Sequence, residues 1–471
     1  MQHMKFLSLI VIASAATLAS CSGTRNLPGA DVKMPDSLTP ASLSQTYQPT
    51  DTISAADMKW WEFYTDPALC HILQRTIESN KDLLIASARI EELRQLYGVD
   101  KLNYLPTFSA TVGETHETND YYNEKFKRDP EISFKANVNW EINLWGGLSQ
   151  AQKKSRAAFL QSVENRRALQ VSLIAEAATA YFNLVALVNE LEIVNQTLET
   201  RREALEKSRL RYEGGLTSEI VYQQAKVELA TTEALVPGLE RRIKLARNAI
   251  NLLMGELPDA PLNVTPAPLN NQLPPSLPTG LPSTLLQRRP DLRASELALQ
   301  GAMADAGLAY SNQFPNLRLS LTGGWEDDSW THLFQSPFSY ILGNIAGTIF
   351  DFGRNHRKYK SKVAAYDQAR LRYEKDVLTA FSETYDASIA YDMLRITTTK
   401  RVDLCDAAFK YVDLANKQYL AGSINYIDVL DAQRRYFDAR INLSNAIRDQ
   451  YLALVTLYKV LGGGWQEENN R

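Results

Sequence analysis

Ser133-Phe134-Lys135-Ala136-Asn137-Val138-Asn139-Trp140-Glu141-Ile142 decides the fold. Phe134, Ala136, Val138, Trp140 and Ile142 fall on one side of an extended chain, and Ser133, Lys135, Asn137, Asn139 and Glu141 on the other. This is the period-two pattern of a strand. The second side is polar and charged. A packed core would not accept that face, whereas a water-filled barrel lumen would. Just upstream, after Pro106, Phe108, Ala110 and Val112 alternate with Thr107, Ser109 and Thr111 as a first strand. A charged, aromatic loop, Glu114–Pro130, is expected between the two.

Helical patterns flank this hairpin. Asp66-Pro67 supplies an N-cap and an N1 proline, and the pattern that follows runs to about Lys101. After Gly146-Gly147 a helical pattern continues without proline to Glu213, a rise of roughly 100 Å at 1.5 Å per residue. A rod of that length cannot fold back into one compact globule. Ala177, Tyr181, Leu184, Val188 and Leu191 follow the 4-3-4-3 spacing of a coiled-coil seam. Gly214-Gly215 permit a left-handed cap and a tight turn, and a return helix is expected from about Ser218 to Met254.

The pattern occurs twice. An offset of 207 residues pairs Gly146 with Gly353, Glu176 with Glu383, Tyr212 with Tyr419, Gly215 with Gly422 and Gly255 with Gly462. Upstream, an offset of 209 pairs Asp82-Leu83 with Asp291-Leu292 and Pro106 with Pro315. The second half therefore reads as short and long helices starting at Ser283 and Pro290, then Leu317, Leu319 and Leu321 alternating with Asn316, Arg318 and Ser320. A return strand follows within Pro337–Phe350, then a long helix from Gly353 to Leu420 and a return helix ending near Leu461. The expected plan is a signal peptide at 1–20, a lipidated linker at 21–59, a first repeat at 60–255, a proline-rich linker at 256–282, a second repeat at 283–462 and a polar tail at 463–471.

Composition narrows the function. The chain of 471 residues is 45% hydrophobic and 22% charged with a net charge of -3, which excludes a disordered chain and disfavours nucleic acid as a partner. Three cysteines cannot build a disulfide scaffold. Cys70 and Cys405 are expected to lie too far apart along the helices to bond. Lys5 and the apolar run Phe6–Leu18 precede Leu18-Ala19-Ser20-Cys21, a signal peptide too short to span a membrane. This tetrapeptide looks like a bacterial lipobox, which would acylate Cys21, and Ser22 after it points to the outer membrane. No other segment reads as a transmembrane helix; Ser329–Phe350, the nearest, carries Pro337, Gly343, Asn344 and Gly347 and reads as part of a strand hairpin.

The strands of each half are long enough to cross an outer membrane. Four strands cannot close a barrel alone, and open edges are not tolerated in lipid. The expected fold is mainly α with a β-barrel portion: a trimeric 12-stranded outer-membrane β-barrel, four strands per chain, continued by a long α-helical periplasmic tunnel.

Several segments together resemble the TolC-type outer-membrane efflux factors, in the lipoprotein branch serving resistance–nodulation–division pumps. They are Trp60–Leu69 (Trp-Trp-Glu-Phe-Tyr-Thr-Asp-Pro-Ala-Leu), Gly280-Leu281-Pro282-Ser283, Arg288–Arg293, Phe314-Pro315, Phe350–Arg354 and Tyr426–Gln433. The resemblance covers nearly all of the chain beyond the signal. Trp145-Gly146-Gly147 departs from it, since the family often has an arginine after the first glycine. The resemblance implies a passive conduit exporting small molecules (drugs, toxic compounds or metal ions), a homotrimer joined to an inner-membrane pump by a periplasmic adaptor. It implies no cofactor beyond the lipid on Cys21, no metal and no catalytic residue. No phosphate-binding glycine motif is present in the sequence.

The resemblance also places Asp428 and Asp431 at a periplasmic gate. They stand three apart and so share a helix face; acids near a helix start also simply favour the dipole. Their first-half equivalents are Val221 and Gln224, so only the second repeat carries the acids. Tyr212 and Tyr419 occupy matching places beside the turns, as gate residues or as packing. The turns themselves, Gly215-Leu216-Thr217 and Gly422-Ser423-Ile424, match the family's adaptor-docking tips. Trp140, Trp145 and Trp325 suit membrane-interface belts or packed positions. Three other classes stay in view: a conduit for a protein-secreting ABC exporter, a lipid-anchored coiled-coil scaffold, and an enzyme. The last is weakened because His71, His116, His332 and His356 lie in different elements.

Overall fold

A computed structural model describes residues 27–32, 57–119, 127–258, 260–262, 282–346 and 351–465. Cys21, the signal peptide, and most of the two linkers and the polar tail lie outside the described residues. The elements are α1 (Trp60–Phe63), α2 (Pro67–Ser79), α3 (Lys81–Leu102), β1 (Thr107–Asn119), β2 (Lys127–Ile142), α4 (Gly147–Glu213), α5 (Glu219–Glu233), α6 (Leu235–Leu253), α7 (Pro282–Arg288), α8 (Pro290–Ser311), β3 (Asn316–Asp327), β4 (Pro337–Ala346), α9 (Arg354–Leu420) and α10 (Tyr426–Val460). A 3₁₀ turn, Leu333–Gln335, lies between β3 and β4. α4 and α9 are each 67 residues long.

Two compact units share these elements. One comprises the described residues within 1–31, 88–163 and 294–375, the other those within 32–87, 164–293 and 376–471. The first holds the four-stranded antiparallel sheet, in the order β1-β2-β3-β4. Phe108 pairs with Val138, Val138 with Leu321, and Leu321 with Ile341, so one row of apolar side chains crosses all four strands on the same face. That face is open: Phe108 is 77% and Ile341 72% exposed. On the opposite face a polar ladder joins β2 to β3. Arg318 pairs with Glu141 at 3.4 Å, Ser320 donates to Asn139 at 2.7 Å, and Thr322 donates to Asn137 at 2.8 Å. Below the sheet, Asp305 on α8 bridges Lys154 on α4 (2.7 Å) and Lys362 on α9 (2.8 Å). In the same unit Pro28 accepts from the Tyr366 hydroxyl at 2.6 Å, and the Asp31 N–H donates to Glu374 at 2.8 Å.

The expected loop Glu114–Pro130 is largely strand. Pairing continues from Glu114 with Ile132 to Asn119 with Lys127. Charged side chains do not interrupt a backbone ladder, so polarity marked the end of the apolar band and not the end of the strands. Trp140 donates to Tyr104 (3.0 Å), Trp145 donates to Pro315 (2.6 Å), and Trp325 meets Phe134 and Phe334.

The second unit is built around a core that includes Leu69, Ile72, Leu73, Ile174, Ala177, Tyr181, Leu184, Ile250 and Tyr458. The coiled-coil residues of α4 thus face this core. One stretch of α4 is apolar enough to cross a membrane, but 61% of it is buried within the protein; its apolarity serves packing. Tyr458 stacks on Phe63 at 4.1 Å and donates to Met58 at 2.8 Å, and burial pushes its phenol well above the usual range. Cys70 and Cys405 are free.

Two helices expected to be continuous are broken. The run from Asp66-Pro67 to Lys101 stops at Asn80, whose ψ of 128° is extended. Its side chain accepts from the Asp82 N–H at 2.9 Å, capping α3. The return helix Ser218–Met254 divides at Ala234 because Pro237 cannot donate to the preceding turn. Gly255 and Gly462 end the matching helices α6 and α10 with φ of 73° and 83°. A Cβ on Gly255 would meet the Ser79 carbonyl oxygen at 2.5 Å, and one on Gly462 would meet the Arg288 carbonyl at 2.9 Å. Both left-handed geometry and close backbone approach therefore require glycine there.

Candidate functional site

The second unit brings the ends of α4 and α9 beside the starts of α5 and α10. Each long helix ends in the same hydrogen-bonded cap. Gly215 N–H donates to Tyr212 (2.9 Å) and Leu216 N–H to Arg211 (2.8 Å); Gly422 N–H donates to Tyr419 (3.0 Å) and Ser423 N–H to Gln418 (2.9 Å). With φ of 72° at Gly215 and 74° at Gly422, these are Schellman turns. The caps satisfy the last carbonyls internally, which leaves Gly215, Leu216, Gly422 and Ser423 exposed. Thr217 and Ile424 are half-buried, and Ile424 packs against a small core of Ala225, Ala415, Tyr426, Val429, Leu430 and Ala432. That core holds the four helix ends together.

Asp428 is an N3 residue of α10. Its carboxylate accepts from the Asn425 N–H at 3.0 Å in a capping box. Asp431, one turn on, is paired with Arg435 at 2.7 Å. Both acids are thus engaged within the chain while remaining solvent-accessible. Tyr212 and Tyr419 find different partners. Tyr212 stacks on Tyr222 with ring centroids 6.1 Å apart. Tyr419 meets Tyr426 at 5.5 Å and lies under the Arg211 guanidinium at 5.4 Å.

The sequence reading missed a charged junction about two turns further along. Glu228 on α5 is nearly buried and sits between Arg201 of α4 at 2.8 Å and Arg434 of α10, which donates through Nε at 3.0 Å. Arg201 also donates to the Glu228 backbone carbonyl at 2.6 Å. Three helices therefore meet at one carboxylate. Burial pulls the Arg201 guanidinium down, and the Glu228 charge partly offsets this. The available signal was an acid on the buried stripe of α5, between Ala225 and Thr232. Beside this junction a cleft of about 420 Å³ opens between α5 and α10, lined by Ile220, Val227, Ile427 and Leu430 among others.

Comparison with known proteins agrees with this architecture. The family described as "Outer membrane efflux protein" matches residues 72–256 and again 281–463. The solvent efflux pump outer membrane protein SrpC of Pseudomonas putida is 31% identical over 99% of this chain and 100% of its own. The pyoverdine export outer membrane protein OpmQ of Pseudomonas aeruginosa is 28% identical over 99% of this chain and 98% of its own. Among solved structures, the outer-membrane channel OprN superposes with a TM-score of 0.85 at 26% identity, covering 93% of this chain and 100% of OprN. The mainly helical chain with its four-stranded sheet has the fold of the trimeric TolC-type channels, a barrel continued by a helical tunnel. The chain belongs to the outer membrane efflux protein family and is an outer-membrane channel component of an efflux system.

Proposed function

We propose that three copies of this chain close a single 12-stranded barrel and act as the passive outer conduit of a tripartite pump. The observation that carries this is the sheet. Its open apolar face suits lipid, its opposite face is a hydrogen-bonded polar ladder, and β1 and β4 are edges. Such edges need partners in a membrane, and neighbouring copies supply them. The conduit needs no catalytic residue; an inner-membrane resistance–nodulation–division pump would supply the energy.

On this reading Gly215-Leu216-Thr217 and Gly422-Ser423-Ile424 dock a periplasmic adaptor, and their exposure supports it. Asp428, Asp431, Tyr212 and Tyr419 form the closed periplasmic entrance, where threefold symmetry would gather six carboxylates. Cys21 carries a lipid anchor, and the repeats extend over 60–255 and 283–462. The cargo is small molecules: the solvents and pyoverdine in the relatives' names fit that class. The test is complementation. A Gram-negative host lacking its own efflux channel, supplied with this chain, its adaptor and its pump, should regain resistance to pump substrates. Resistance that stays at the level of the channel-less host would refute the proposal.

A further inference from the structure

The polar face of the sheet is not uniformly polar. β4 places Phe338, Tyr340 and Leu342 on the face that carries Lys135, because Phe338 pairs with Gly324 and Tyr340 with Thr322. Two contacts fix this directly: the Lys135 ammonium lies 5.8 Å from the Phe338 ring, and Phe338 and Tyr340 stack at 6.1 Å with 15° between their planes. The same ammonium is 3.0 Å from Glu326 on β3 and 3.2 Å from Glu131 on β2. The face opposite bears Phe108, Val138, Leu321 and Ile341, so the charged face is the one turned to the lumen.

We propose that the inner wall of the barrel carries a contact site for small aromatic organic cations, formed by Phe338 and Tyr340 with Glu326 and Glu131. This rests on the channel reading above. Lys135 shows the chemistry the patch favours, since an ammonium is held there by two carboxylates and a ring face. Two carboxylates against one ammonium leave the patch net negative, which complements a second cation. The two parallel rings make a platform on which an aromatic group can stack. Gly324, which pairs with Phe338, adds no side chain over the ring. Gly324 cannot take a larger residue, because a Cβ there would collide with the Phe134 carbonyl oxygen, and Tyr340 is 53% exposed. The rings begin one residue after the β3–β4 connection, at the end of the sheet away from the helices. The site is therefore met last by outgoing cargo and first from the outside.

The test is channel block in planar bilayers by phenyltrimethylammonium added to the side of the strand connections. Tetramethylammonium and benzenesulfonate serve as the non-aromatic and anionic controls. Phenyltrimethylammonium should block best, and the Phe338→Leu, Tyr340→Leu double variant should need about tenfold more of it. The near-isosteric Glu326→Gln variant should also weaken block, which covers the case where the double variant does not assemble. Equal block by benzenesulfonate, or unchanged block in Glu326→Gln and in an assembled double variant, would overturn the site. A double variant with a less heat-stable trimer and unchanged block would assign the rings to packing alone. Absence of any conductance in the unaltered protein would instead defeat the channel reading.

Discussion

Asn80 and Arg289 stand at the same position of the two halves, and each donates to the carbonyl at the end of the matching return helix. Asn80 reaches Leu253 at 3.0 Å, and Arg289 reaches Val460 at 3.4 Å. The longer residue does more. Arg289 also pairs with Asp291 and with Glu383, each at 2.7 Å, so the second half adds an ionic tie to α9 that the neutral Asn80 cannot make to α4. Duplicated geometry is kept while its chemistry diverges.

The glycines beside these residues give the first prediction. Gly255→Ala and Gly462→Ala should each lower stability by at least about 1–2 kcal/mol from the left-handed backbone alone, with the carbonyl clash adding to it. Heating the purified trimer and following its conversion to monomer by electrophoresis measures this. A Gly98→Ala control should be no less stable than the parent, since a Cβ there meets nothing within 4 Å and alanine favours the interior of α3.

Glu228 joins three helices near the tip, so Glu228→Gln should loosen the tip. Removing one partner of a buried ion pair typically costs about 3–5 kcal/mol when the other charge stays buried, and Arg201 is that charge. More frequent opening in bilayer recordings is expected. Identical opening in Glu228→Gln and the parent would make the junction a passive brace.

Asp428→Ala with Asp431→Ala should weaken block by a trivalent cation added from the periplasmic side, and should reduce cation selectivity, as a charged ring requires. Their capping and Arg435 contacts predict a second effect, a small loss at the start of α10 of about 0.5–2 kcal/mol. Helix loss with unchanged block would leave both residues as helix-start acids.

Acid should act on Asp305. Burial raises its pKa, but Lys154 and Lys362 outweigh that and hold it below the ordinary carboxylate value. A depressed folded pKa means the bridge stabilises fully above about pH 4 and is lost as pH falls through the folded value. Asp305→Asn should therefore reduce heat stability at pH 7 and narrow its difference from the parent at pH 2–3.

Much of this was legible because glycine and periodicity are local. The offset from Gly215 to Gly422 fixed two equal long helices, and the alternation Phe134–Ile142 fixed a strand with one wet face. Strand ends were not legible: the stretches Glu114–Asn119 and Lys127–Pro130 carry no apolar alternation in the sequence, and their pairing is set by the partner strand. The break at Asn80 is signalled only by asparagine's preference for N-cap positions, which the helical pattern on both sides of it masks. Pro237 carries the signal for the break near Ala234, but the expected helix Ser218–Met254 ran through it. Glu228 was hidden differently: Arg201 and Arg434 lie 27 and 206 residues away, and only the folded tip brings them to it.

Purification of the protein from outer membranes, followed by single-channel recording in planar bilayers, reads out both the three-chain assembly and the pore. A trimeric conduit should appear as a species of three chains that inserts from one side and gives discrete, cation-preferring conductance steps. A stable monomer that inserts without conductance steps would contradict the trimeric conduit.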